Sequence, residues 1–302
     1  MRVPLQRVGS LALSRRSFAR SFSTRPPAPL PLEDKVIVVA GAGNPPAEGH
    51  GIGAWTSIVM ARQGAHVISV SNDAVNAETA TAAIHDEGNS GMAHVADCTK
   101  AAEVEQLVQA CIEKYGRVDV VVNAGIHSAL PMGFGKMTED AWQVGIDLNL
   151  NAHFHLVHKF LPVFEKQQSG NFIHFTTIAS TVGLGIGPQR HAYAAGKSGA
   201  ATLTKRIGVE YAKQGIRANV IGIGYVAGPL VNRAVAQAIS RGANTTIEKV
   251  TAVRDSYVPR GKQIRPEEVA NTAAFLASDA SSAVNGTEIY ADGGSSGCTY
   301  GP

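Results

Sequence analysis

Tyr193 and Lys197 stand four residues apart, a spacing that puts a phenol and an ammonium on one face of a helix. A phenol serves as acid and base near neutral pH when a neighbouring cation stabilises its phenolate, so the pair suits proton transfer at a carbonyl oxygen. Positioned groups of this kind contribute about 10²- to 10⁴-fold in rate. Far upstream, Gly41-Ala42-Gly43-Asn44-Pro45-Pro46-Ala47-Glu48-Gly49-His50-Gly51-Ile52-Gly53 follows an apolar run and leads into a helical pattern. Glycines there let backbone approach a pyrophosphate, and the helix start offers free N–H groups and a positive dipole end.

The elements that must position these residues alternate. Short β-branched runs begin with Val36–Ala40, His66–Val70 and Met92–Val95, and Val118–Val122, Phe172–Thr176, Ala218–Ile223 and Glu288–Ala291 complete seven. Helical patterns lie between them near Ala54–Gln63, Asn76–Glu87, Ala102–Tyr115, Ala141–Lys166, Tyr193–Gln214 and Pro266–Ser278. That rhythm predicts a single-domain α/β fold of the Rossmann type, a doubly wound parallel seven-stranded sheet with helices on both faces and ligands at the carboxyl ends of its strands. Residues 229–260 interrupt it with a helical stretch (Val231–Ile239), a polar turn (Arg241–Thr246) and a helix-like segment ending at Pro259. An insertion there is a candidate substrate loop.

From Lys35 to about Gly294 the chain resembles the short-chain dehydrogenase/reductase family. Gly41, Gly51 and Gly53 look like the three glycines of its Gly-x-x-x-Gly-x-Gly turn, with six extra residues between the first two, as in some enoyl reductases of the superfamily. Asp97 resembles its adenine-contacting aspartate, and Asn123-Ala124-Gly125 its cofactor-lining turn. The resemblance implies that Tyr193 is the acid/base, that Lys197 also holds the nicotinamide ribose, and that Asn149, seven residues after Trp142, anchors a proton-relay water. For the hydroxyl that polarises the substrate oxygen, aligning the strand selects Thr177, and counting back thirteen residues from Tyr193 selects Ser180. After the sixth strand Gly224 and Val226 would meet the carboxamide with backbone groups, while Gly228 stands where the family has a threonine. Ile52 belongs with the phosphate-binding turn.

Cofactor choice is set at the end of the second strand, where a carboxylate binds ribose hydroxyls and an arginine a 2′-phosphate. Ser71 stands there, which with His50 in the glycine loop favours NADP(H); Asp73, two residues on, keeps NAD(H) open. The implied reaction is reversible hydride transfer between a ketone and a secondary alcohol. Enoyl reduction is the rival chemistry, but that branch places its tyrosine seven residues before the lysine, where this chain has Arg190. A non-catalytic cofactor-binding scaffold is the other alternative. Leu184, Ile186, Pro188, Tyr225 and Leu230 suggest a moderately apolar substrate pocket.

With 302 residues, 44% of them apolar, the chain can bury a sizeable core, and no apolar run approaches the roughly 18 residues of a membrane span. Residues 1–30 hold six arginines and no acidic residue, the pattern of a cleavable mitochondrial presequence and so a matrix address. Without them the formal charge falls from +3 to −3, leaving no basic excess for nucleic acid. Cys98, Cys111 and Cys298 read as free thiols. His153, His155 and His158 crowd one helix without a carboxylate or cysteine at ligand spacing, so no metal is expected. The family resemblance implies a homo-oligomer, a dimer or tetramer, with contacts through the helices around Asn149 and Lys205.

Overall fold

A computed structural model describes residues 31–43, 49–125, 133–181, 191–240 and 242–297. The leader, Cys298, Arg190 and the pocket candidates Leu184, Ile186 and Pro188 lie outside the described residues, as does the side chain of Leu230. Seven strands form one parallel sheet: β1 (Val36–Ala40), β2 (His66–Ser71), β3 (Gly91–Val95), β4 (Val120–Asn123), β5 (Gly170–Thr177), β6 (Ile216–Ile223) and β7 (Glu288–Ala291). Their order is β3-β2-β1-β4-β5-β6-β7, so the direction of winding reverses between β1 and β4 and opens a crevice at their carboxyl ends.

The strand sequences are apolar on both sides because both faces of the sheet are covered. Along β1, Ile37 and Val39 enter one core with α1 (Ile52–Arg62), α2 (Ala74–Asp86) and α10 (Pro266–Ala277). Val36, Val38 and Ala40 enter the opposite core with α3 (Ala101–Tyr115) and α5 (Ala152–Gln167). Phe164 of α5 and Phe172 of β5 pack there as tilted rings 4.7 Å apart. Each buried side chain of this size stabilises the fold by about 1.5–3 kcal/mol.

The long helix expected over 141–166 is broken. It comprises α4 (Glu139–Ile146), a π-helical turn (Asp147–Asn151) and α5. Asn149 Nδ2 donates to the Gly145 carbonyl (2.9 Å), so a side chain claims the acceptor that α-helical bonding would give to the backbone N–H of residue 149. After β5 comes a short turn, α6 (Ile178–Thr181), which sequence periodicity does not reveal. Then α7 (His191–Glu210) carries Tyr193 and Lys197, and ends short of the expected Gln214 in a separate 3₁₀ turn. The inserted segment folds as α8 (Pro229–Ser240) and α9 (Ile247–Ser256).

Candidate active site

At the crevice lies a cleft of about 290 Å³. Gly41, Gly51, Ile52 and Gly53 line it from the first turn, Ser71 and Asp97 from the ends of β2 and β3, and Asn123, Ala124 and Gly125 from the end of β4. Packing requires glycine at Gly41 and Gly53. At Gly41, φ is +82°, and an added Cβ would lie 2.6 Å from the Gly125 nitrogen; at Gly53 it would lie 2.0 Å from the Gly41 oxygen. Gly51 caps α1 without a side-chain bond, and the first turn of α1 holds no acidic residue, so its N–H groups face the cleft without a side-chain acceptor. That donor set fits a dinucleotide's pyrophosphate.

At the ends of β2 and β3 two side chains of the lining already have partners. Burial raises Asp97, but the Thr99 hydroxyl (2.7 Å) and amide (3.0 Å) and the nearby Lys100 outweigh it and hold the carboxyl below its ordinary value. Ser71 is buried, its Oγ accepting the Asp73 N–H (3.3 Å). The Asp73 carboxylate caps α2 by accepting from Asn76 N (2.9 Å), which commits it to the helix. Among the lining residues that escaped sequence reasoning are Asn76, Leu148, Ala152 and Arg233. Asn76 enters because the first turn runs against α2, a Cβ on Gly43 falling 2.3 Å from that of Asn76. Arg233 enters because α8 reaches over the cleft; its place in the helix is legible, its neighbours are not.

Tyr193, Lys197, Asn149, Thr177 and Ser180 are not in that lining, and neither are Gly224 and Val226. Lys197 connects the two regions. Its Nζ donates to the Gly125 carbonyl (2.6 Å) and the Phe175 carbonyl (2.8 Å). Burial pulls the amine down to about 7. Tyr193, also buried, lies one turn earlier on α7. Gly196 lets this turn close on the π turn, since an added Cβ would lie 2.9 Å from that of Asn149. The two hydroxyl candidates differ. Ser180 spends its proton on the Thr177 carbonyl (2.6 Å) and neighbours Thr176 Oγ1 (2.9 Å). Thr177 Oγ1 accepts from Ala179 N (3.3 Å), and its proton has no acceptor among the described residues.

Val226 gives its carbonyl to Arg254 (3.0 Å), and Gly224 packs against Asp292. Tyr225 turns into the core, stacked on Tyr257 with Arg254 over its ring, where its phenol ring packs as structure. The three histidines of α5 part ways: His153 is buried, His155 Nδ1 bonds the Cys98 carbonyl (3.1 Å), and His158 stacks on Phe154.

Residues 46–296 match the family model described as enoyl-(acyl carrier protein) reductase. The chain is 33% identical to the 3-oxoacyl-(acyl-carrier-protein) reductase FabG of Thermotoga maritima, over 87% of this chain and 98% of the other. The chain belongs to the short-chain dehydrogenase/reductase family. This short-chain dehydrogenase/reductase is also 34% identical to D-beta-hydroxybutyrate dehydrogenase of Cupriavidus necator, over 87% of its own length and 98% of the relative. A solved structure from Burkholderia xenovorans assigned to the same family superposes with a TM-score of 0.81 at 32% identity, covering 89% of this chain and 99% of the other. The protein is an NAD(P)-dependent oxidoreductase acting at CH–OH and carbonyl groups.

Proposed function

We propose that this short-chain dehydrogenase/reductase interconverts a ketone, of the 3-oxo type, and a secondary alcohol with NADP(H), using Tyr193 as acid/base. The observation that carries the reading is the buried Lys197, held by the Gly125 and Phe175 carbonyls one helical turn from Tyr193. When bound, the nicotinamide supplies the hydride to the carbonyl carbon or takes it back. Tyr193 gives its proton to the oxygen as the alcohol forms, and the positive charge of Lys197 stabilises the tyrosinate left behind. Thr177, whose proton has no acceptor among the described residues, donates to the same oxygen; Ser180 donates to the Thr177 carbonyl. Asn149, packed against Gly196, stands behind the lysine to pass protons from solvent. The likeness to a 3-oxoacyl-(acyl-carrier-protein) reductase and to a D-beta-hydroxybutyrate dehydrogenase supports a 3-oxo substrate.

NADP(H) is favoured because the carboxylate two residues after Ser71, that of Asp73, is held at the α2 cap, while Arg233 lies in the cleft. The α8–α9 insertion acts as the substrate loop, residues 1–30 as a mitochondrial presequence, and the working form is a homo-oligomer. The test is fluorescence titration of the chain from Pro31 with NADPH and NADH, then assay on a panel of 3-oxoesters and ketones beside Tyr193→Phe. Tight NADPH binding with turnover lost in Tyr193→Phe is expected. Binding without turnover on a broad panel would instead favour a scaffold.

A further inference from the structure

Behind Lys197 lie two histidines that hydride transfer does not use. His153 of α5 and His174 of β5 are buried, their ring centroids 4.2 Å apart. His153 bonds through both nitrogens: Asn123 Nδ2 lies 3.2 Å from Nδ1, and Thr204 Oγ1 lies 2.8 Å from Nε2. The neighbours fix the direction of each bond. Asn123 Oδ1 already accepts the Gly125 N–H (3.1 Å), so its NH₂ faces the ring and Nδ1 must accept. Thr204 already donates to the Ala200 carbonyl (2.8 Å), so its oxygen accepts and Nε2 must carry the hydrogen. One neutral tautomer satisfies every bond, and a protonated ring would set N–H against N–H.

Gly125, whose N–H starts this chain, gives its carbonyl to Lys197 (2.6 Å). Hydrogen bonds therefore run from Lys197 through Gly125, Asn123, His153 and Thr204 to Ala200, three residues beyond Lys197 on the same helix. We propose that His153 is a positioning residue for Lys197: as the Nε2–H tautomer it orients the Asn123 amide, which holds the peptide whose carbonyl receives the ammonium. The role rests on the catalytic reading of Lys197. His174 packs against the ring without joining the chain, its own nitrogens having no partner among the described residues. His174 and Lys197 are the titratable groups that bear on His153, and neither can supply it a negative charge. Burial, and then Lys197, pull His153 down to about 3, so the required tautomer persists across the working range.

Asparagine and glutamine each keep half of what the histidine offers: asparagine an acceptor near Nδ1, glutamine a donor near Nε2. With NADPH and ethyl acetoacetate, His153→Asn should retain kcat to within about threefold, while His153→Gln loses about tenfold with the KM for NADPH little changed. Thr204→Val cuts the other arm and should lower the melting temperature yet keep kcat. Equal losses in the asparagine and glutamine variants would overturn the proposal. Long-range ¹H–¹⁵N correlation on histidine-labelled wild type needs neither substrate nor variant. It should find His153 neutral with its hydrogen on Nε2 down to pH 5; an Nδ1–H tautomer or a protonated ring overturns the proposal even if the variants do not fold. Lys197→Met separates the two readings. Turnover surviving that change removes the catalytic reading and the positioning role with it, whereas turnover lost there with asparagine and glutamine variants alike removes the positioning role alone.

Discussion

The Lys197 ammonium meets the Gly125 carbonyl at 2.6 Å across 72 residues of sequence. The contact ties the helix that carries Tyr193 to a turn that lines the cofactor cleft. A side chain with a mobile four-carbon stem is thereby held by two backbone carbonyls in a dry environment, where a charge acts on its neighbours with little screening.

Lys197→Met is expected to abolish turnover, by on the order of 10²-fold or more, without unfolding the protein. Methionine fills similar volume and removes an amine whose desolvation already costs stability, which offsets the two lost hydrogen bonds. A kcat assay beside thermal denaturation checks both halves; a large fall in melting temperature would show that the lysine's role is mainly structural.

Gly41→Ala should weaken cofactor binding and destabilise the fold by about 2–3 kcal/mol. The new methyl would meet the backbone of Gly125, which cannot swing aside as a side chain can, and φ of +82° disfavours any L side chain. Gly49→Ala is the contrast, because a Cβ there meets nothing among the described residues within 4 Å although φ is +79°. Denaturant titration of the two variants, with NADPH binding, measures the difference. Similar losses would mean that backbone conformation, not the approach to Gly125, dominates.

How much of this was legible in the sequence follows from what kind of force makes each feature. The strands were, because a sheet buried on both faces demands apolar β-branched runs such as Val36–Ala40, whose ends match the expectation. The glycine turn and the Tyr193/Lys197 pair were, because backbone approach and helical spacing are local. The π turn at Asp147–Asn151 was not: it depends on one side chain bonding its own helix, and an unbroken apolar pattern runs through it. Nor could spacing decide between Thr177 and Ser180, since the difference lies in which hydroxyl the nearby carbonyls already occupy. Arg233 and the pairing of His153 with Asn123 are contacts between elements distant in sequence, which no periodicity encodes.

Ser71→Asp should move cofactor preference from NADPH towards NADH. The carboxylate would stand at the end of β2 in the cleft lining, where it can accept from ribose hydroxyls and repels a 2′-phosphate. A change in the ratio of the two dissociation constants of about 10-fold or more is expected, corresponding to hydrogen bonds gained to the ribose hydroxyls and a repulsion gained against the 2′-phosphate. Arg233→Gln, read by the same titrations, should weaken NADPH more than NADH. An unchanged ratio in both variants would place the 2′-position elsewhere.

Acid should destabilise the protein before its carboxylates titrate, because His153 is buried and neutral. Its folded value of about 3 lies below the ordinary histidine value of 6.5, so between these limits the unfolded chain binds a proton that the folded chain excludes. Stability therefore rises with pH across that window and is lost as pH falls through it. From pH 6.5 to 5 the loss for one such histidine is about 2 kcal/mol. His174, pulled down first by burial and then by His153 and Lys197, acts in the same direction. Lys197 adds a second window of the same sign, since its folded value of about 7 lies below 10.5 and the unfolded chain again binds the extra proton between them. Urea denaturation at pH 7, 6 and 5 should show a falling midpoint that His153→Asn flattens, because the asparagine does not titrate. A midpoint that falls equally in the variant would assign the acid sensitivity to other groups.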